Sequence, residues 1–415
     1  MKISRNVYSL ALLLLATALL SNCKSDLKTE EVPVEVPKDK YLVSYNVVRS
    51  MTASDVNTLY SPVQFLYPDV SDILPYIKSG ARVYSITYNT TLGTKKLVAS
   101  GLVTIPDGGG TYPMLSFQNG TNTLYSNAPS LSAYNSTIQL LNGFATTGFV
   151  VLMPDYLGFG SSTEVFHPYL VMDATVNPIL DMFRAVKEMT AKTDLAFKLS
   201  PDLYIMGYSQ GGLSTLQLQK SIETNYSSEF NLKAVGCGAG PYNLTQITDA
   251  VVTTTTYLQP YYIAYIMKGF KSVGSFTNTY ADIFNEPYAS RIDGLFNGLN
   301  SGSAINAQLS TNMAQLFTSE FRTTWKTNTK FQGIKDALAA SSVPAWKIKT
   351  PLILAHGQAD TDVTPLMSST LYNDLMSLDK TLPVTYIPMP GLDHGGASAP
   401  ALINFVKRFL AIKGK

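Results

Sequence analysis

The residues best suited to chemistry in this 415-residue chain are one serine, one aspartate and one histidine, in that order. Ser209 lies in Gly207-Tyr208-Ser209-Gln210-Gly211, directly after an apolar run at 203–206 and before a helical stretch at 212–219. A Gly-x-Ser-x-Gly at a strand-to-helix turn lifts the hydroxyl above a sheet. It also aims a helix N-terminus at any oxyanion formed there. A serine hydroxyl is a poor nucleophile until a base takes its proton. The chain has three histidines, His167, His356 and His394. His394, in Gly391-Leu392-Asp393-His394-Gly395-Gly396, falls in a loop between an alternating strand pattern at 384–388 and a final helix. It is the expected base. The base in turn needs a carboxylate that fixes its tautomer and stabilises the imidazolium. Asp360, in His356-Gly357-Gln358-Ala359-Asp360-Thr361-Asp362-Val363, is placed for this at the loop end of the run at 351–355, with Asp362 as runner-up. The three together predict acyl transfer through a covalent serine intermediate.

The neighbouring polar residues receive quieter roles. His356 precedes the turn and is expected to hydrogen-bond the loop, and His167 to pack. Asp155, in Asp155-Tyr156-Leu157-Gly158-Phe159-Gly160-Ser161, reads as a structural turn residue. An oxyanion hole needs two N–H donors. One is the amide of Gln210. The other is expected from Gly120 or Thr121, in the loop Gln118-Asn119-Gly120-Thr121. No His/Cys cluster has metal-ligand spacing, so neither a metal nor an organic cofactor is expected.

The elements that must hold these residues alternate. Strand patterns fall at 82–90, 97–105 and 113–117, and short apolar runs at 149–153, 203–206, 234–237 and 351–355 read as buried parallel strands. Apolar residues at three- and four-residue spacing between 179 and 189 mark a helix. Alternating strand and helix implies an α/β fold, a mostly parallel sheet flanked by helices. The order Ser, Asp, His is that of the α/β-hydrolase fold. Residues 243–345 lack buried-strand signals. Helix-like segments around 257–270, 281–295, 313–325 and 331–340 predict a helical cap inserted into a core of 41–242 and 346–415.

The N-terminus has the form of an export signal. Lys2 and Arg5 precede an apolar run at 10–20, which ends in Leu20-Ser21-Asn22-Cys23. The run is short for a membrane span, which needs about 20 residues. Residues 1–23 are expected to be a lipoprotein signal peptide with Cys23 as the lipidated residue, and 24–40 a flexible tether. That predicts a bacterial envelope protein, anchored at the outer membrane and facing the periplasm or the outside. Beyond Cys23 only Cys237 remains, in an apolar stretch, so it reads as an inert buried thiol without a disulfide. With 31 basic against 29 acidic residues and no basic block, there is no case for nucleic acid. A monomer is the default.

Asn119-Gly120-Thr121, Ala128-Pro129-Ser130, Pro154-Asp155-Tyr156-Leu157-Gly158, Gly207-Tyr208-Ser209-Gln210-Gly211-Gly212 and Gly240-Pro241-Tyr242 form a wider pattern. With Trp346 before Pro351 and His356-Gly357-Gln358-Ala359-Asp360, it resembles the secretory lipase family over most of 80–410. The resemblance implies an α/β-hydrolase core with a helical cap, action on carboxylic esters, and a triad at Ser209, Asp360 and His394. Members often carry His-Gly-Thr where this chain has Asn119-Gly120-Thr121, and Cys-Ala-Pro-Ser where it has Asn127-Ala128-Pro129-Ser130. The expected substrate is a small-molecule or polymer-borne ester. A peptidase or acyltransferase of the same fold, and a non-catalytic glycan- or lipid-binding surface lipoprotein, are the alternatives.

Overall fold

A computed structural model describes residues 39–414. Nine strands form its sheet: β1 (Leu42–Met51), β2 (Ala81–Leu92), β3 (Lys95–Pro106), β4 (Thr111–Gln118), β5 (Val150–Pro154), β6 (Lys198–Tyr208), β7 (Asn231–Gly238), β8 (Leu352–Gly357) and β9 (Val384–Met389). The spatial order is β1-β2-β3-β5-β4-β6-β7-β8-β9. From β5 through β9 every neighbouring pair is parallel. The pairs β1–β2, β2–β3 and β3–β5 are antiparallel. The run at 149–153 therefore meets its expected parallel partner on one side only.

The helices relevant to the site are α1 (Ala53–Leu66), α2 (Met172–Met189), α3 (Gln210–Ser221), α4 (Leu244–Thr253), α5 (Pro260–Ser272), α6 (Leu366–Leu378) and α7 (Ser398–Lys413). The strands' period of two divides the core between the sheet's faces. Val150, Leu152, Leu203, Ile205, Leu352 and Leu354 pack with α2, α3 and α6 on one face. Val151, Met153, Tyr204, Met206, Ile353 and Ala355 pack with α1 and α7 on the other. Both faces are covered, so the central strands are apolar throughout and their register is fixed. Cys237 is buried and free, with its thiol pushed up by burial.

Between β7 and β8 the described residues form helices and turns, with two isolated bridges, Thr256 to Asn312 and Phe284 to Phe317. Where one helix is expected around 281–295 there are two, Tyr280–Ile283 and Tyr288–Leu295. Pro287 explains the break: it has no N–H to donate and disfavours helical backbone at the residue before it. The segment at 313–325 also divides, into Met313–Leu316 and Ser319–Thr324, because Phe317 is extended to pair with Phe284. The return into β8 is pinned by Glu223, just beyond α3. Its carboxylate accepts from Trp346 Nε1 at 2.9 Å and from the Thr350 amide at 2.9 Å.

Candidate active site

Ser209 sits between β6 and α3 with φ 59° and ψ −122°. For a residue with a Cβ this is strained backbone, held only where the surroundings over-determine it. Here they do. The Ser209 amide donates to the Gly238 carbonyl at 2.8 Å, locking the turn to β7. The flanking glycines are sterically required. A Cβ on Gly211 would stand 1.9 Å from the Gln118 carbonyl oxygen, and one on Gly207 would stand 2.3 Å from the Gly211 carbonyl oxygen.

His394 reaches this turn from the loop after β9. Tyr208, next to the serine, donates its hydroxyl to the His394 carbonyl at 2.7 Å. A Cβ on Gly357 would stand 2.4 Å from the Leu392 carbonyl oxygen, so the loop passes only because that residue is glycine. His394 Nε2 lies 2.9 Å from Ser209 Oγ, and Nδ1 lies 2.6 Å from Asp360 Oδ2. The carboxylate can only accept, so Nδ1 carries the proton and Nε2 is free to receive the serine's.

Asp360 is buried, and each of its oxygens is occupied. Oδ1 accepts from the amides of Asp362 and Val363, both at 2.9 Å. Oδ2 accepts from His394 and from His356 Nε2 at 3.1 Å. Burial pushes the carboxyl up, but the hydrogen bonds from His356 and His394 outweigh it and hold it at about 2. His356 thus does more than bond its loop. Ser368 Oγ at 2.7 Å meets its Nδ1, and Nε2 also donates to the Val363 carbonyl at 2.9 Å. Asp362, the runner-up, makes no hydrogen bond to His394 and instead lines a cavity beside the serine. Asp155 lies elsewhere and accepts from Ser100 Oγ at 2.6 Å and from the Ser130 amide at 2.8 Å, which fits the expected turn role.

The loop carrying Gly120 and Thr121 runs over the nucleophile. A Cβ on Gly120 would be 4.0 Å from Ser209 Cβ. Asn119 Nδ2 donates to the Pro154 carbonyl at 2.8 Å, and Thr121 Oγ1 lies 2.7 Å from Tyr169 Oη, so the loop is held at both ends. Gln210 begins α3, where the first N–H groups have no intrahelical partner.

A partly open cavity lies beside Ser209. Ile247 and Val251 of α4 and Tyr262, Ile263 and Ile266 of α5 form one wall; Tyr169, Leu170, Ser209, Gln210 and Val363 form the other. Two tyrosines tie the helical insertion to the core: Tyr257 Oη donates to the Asp362 carbonyl at 2.9 Å, and Tyr265 Oη to the Asn122 carbonyl at 3.1 Å.

His167 packs as expected, its ring 5.0 Å from that of Phe159 and 5.7 Å from that of Tyr156. It also meets Gln210 Nε2 at 2.9 Å, a contact between residues 43 apart that no spacing announces. Burial pushes its pKa from 6.5 down to about 4. The folded state therefore resists a proton that the unfolded chain accepts. The stability this confers is complete above pH 6.5 and is lost as pH falls toward 4. The loss amounts to on the order of 3 kcal/mol. Denaturant titrations at pH 7 and pH 4.5 should show it, and His167→Phe should lessen the difference; an unchanged difference would count against the assignment.

Comparison with known proteins agrees with this architecture. A Legionella pneumophila protein named a hydrolase superposes with a TM-score of 0.78 at 24% identity, covering 90% of this chain and 98% of its own. The rice cell wall degrading esterase LipA from Xanthomonas oryzae gives 0.74 at 22%, covering 91% and 98%. Candida antarctica lipase A in its closed state gives 0.62 at 15%, covering 90% and 83%. These likenesses establish the α/β-hydrolase fold. No curated protein matches the sequence. The family model of the secretory lipases matches residues 130–388, which span the serine turn, the helical insertion and the Asp360 loop, and the chain belongs to that family of carboxylic ester hydrolases.

Proposed function

We propose that Ser209 attacks the ester carbonyl while His394 Nε2 takes its proton, and that Asp360 holds His394 in the required tautomer. The oxyanion is held by the Gln210 amide with a second amide from Gly120 or Thr121. His394 then returns the proton to the leaving alcohol, and water clears the acyl-enzyme by the reverse path. The observation that carries this reading is the unbroken hydrogen-bond chain from Ser209 Oγ through His394 to Asp360 at a strained strand-to-helix turn.

Residues 243–345 act as a cap over a core of 41–242 and 346–415, and the cavity between α4 and the serine receives the acyl group. In support, the cavity wall includes Ser209 and Gln210 but not His394, on whose side the alcohol must leave. The Xanthomonas neighbour is a cell wall degrading esterase, which favours an ester borne on a polymer.

Secretion fits the family's description, and among the described residues no helix is long and apolar enough to cross a membrane. Residues 1–23 and Cys23 lie outside the described residues, as does most of the 24–40 tether. On sequence grounds they serve as an export signal and lipid attachment that holds a monomeric enzyme at the envelope. Cys23→Ser should move the protein from the membrane pellet to the soluble fraction; retention in the pellet would argue against lipidation.

The test of function is hydrolysis of p-nitrophenyl esters from acetyl to palmitoyl by the chain beginning after Cys23. We expect turnover with an optimum in acyl length set by the cavity. No turnover at any length would sink the reading.

A further inference from the structure

The structure assigns Gln210 a second role, which rests on the acyl-enzyme reading above: its side-chain carbonyl accepts a hydrogen bond from a hydroxyl on the acyl group, so the preferred substrates are hydroxyacyl esters. The Leu157 carbonyl, 2.8 Å from His167 Nδ1, can only accept, so Nδ1 carries the hydrogen. Burial keeps the ring neutral, and Nε2 therefore presents a lone pair. The atom facing it at 2.9 Å must be a donor, which is the Gln210 amide nitrogen and not its oxygen. His167 thereby fixes which way round the amide sits.

That orientation has a consequence for Oε1. Gln210 is 1% exposed, and its Oε1 has no hydrogen-bond partner in the protein. Among the described residues, it is the one buried polar side-chain atom without a partner that belongs to a residue lining the cavity beside Ser209. A buried acceptor without a donor is unfavourable, and a hydroxyl on a bound acyl group would supply the donor here. The backbone of the same residue is the proposed oxyanion donor, so the side chain lies on the acyl side of the scissile bond. Ile247, Val251, Ile263 and Ile266 on the facing wall are apolar; Asp362 and the tyrosines Tyr169, Tyr257 and Tyr262 also line the cavity, so the Gln210 variant decides which acceptor the hydroxyl uses. A hydroxyl on the acyl chain satisfies Oε1, and an unsubstituted chain leaves it unpaired. Discrimination of this kind is about tenfold or more for a site built to bind a hydroxyl.

The experiment uses matched p-nitrophenyl esters, hexanoyl against beta-hydroxyhexanoyl and phenylpropanoyl against para-hydroxyphenylpropanoyl, so that aliphatic and aromatic hydroxyls are scored separately. The readout is the ratio of kcat/KM within each pair. The wild type should favour the hydroxylated member of at least one pair about tenfold, and Gln210→Met should bring that ratio to near one. His167→Phe should lower the same ratio by releasing the amide, and it serves where Gln210→Met does not fold. A wild-type ratio near one in both pairs would overturn the inference, and so would a ratio that survives in both variants. Absence of any ester hydrolysis by the wild type would instead overturn the esterase reading, and the inference with it.

Discussion

Ser209→Ala lowers kcat about a millionfold while leaving KM and thermal stability close to those of the wild type. The size follows from losing the covalent route entirely: no other hydroxyl contacts His394 Nε2 within the hydrogen-bonded set. What survives is the acceleration from the oxyanion donors and substrate binding, about a thousandfold over water. Stability is spared because alanine meets the same φ of 59° as serine and the Ser209 amide bond to Gly238 is a backbone contact. KM holds because the cavity wall loses one oxygen. Since the three residues act as a unit, His394→Ala should cost nearly as much, and the double variant scarcely more than either. Steady-state kinetics on a short-chain p-nitrophenyl ester, beside a melting curve, check this. A residual rate within a hundredfold of wild type would contradict it.

Asp360→Asn is the second large effect, with kcat falling about ten-thousandfold. The local hydrogen bonds decide how the new amide must sit. The amides of Asp362 and Val363 both donate to Oδ1, so the oxygen of the asparagine stays there. Its NH2 then occupies the Oδ2 position, facing His394 Nδ1 and His356 Nε2. A donor facing Nδ1 forces the His394 hydrogen onto Nε2, which then has no lone pair for the serine proton. The same NH2 opposes the His356 Nε2–H, which the Val363 carbonyl holds in place, so the variant is also less stable. Asp362→Asn, which touches neither imidazole through a hydrogen bond, should lose far less. Kinetics of the two variants side by side separate the candidate acids, and equal losses would remove Asp360 from its role.

The site was legible in the sequence where a residue type is fixed by geometry. Gly207 and Gly211 appear at set offsets from Ser209 because a Cβ at either would collide with a carbonyl oxygen. The parallel strands were legible because burial on both faces makes them uninterrupted apolar runs. The first strand was not: only Leu42 and Met51, at its two ends, are buried, so β1 has no apolar face to read. Helix α4 carries its own signal in the sequence. Asn243 caps it by accepting from the Gln246 amide, and Leu244, Ile247 and Val251 follow at helical spacing. The bonding of His356 to its own loop was legible, Asp360 being four residues on, but the contact of His167 with Gln210 was not. The partner of His167 is set by which loops the sheet brings together, and that is a property of the fold and not of spacing.

The most direct test of the central claim is labelling with a fluorophosphonate, followed by peptide mapping. One adduct per chain is expected, on Ser209, absent from Ser209→Ala and formed far more slowly in His394→Ala. An adduct on another residue, undiminished labelling of Ser209→Ala, or no labelling of the wild type would contradict it.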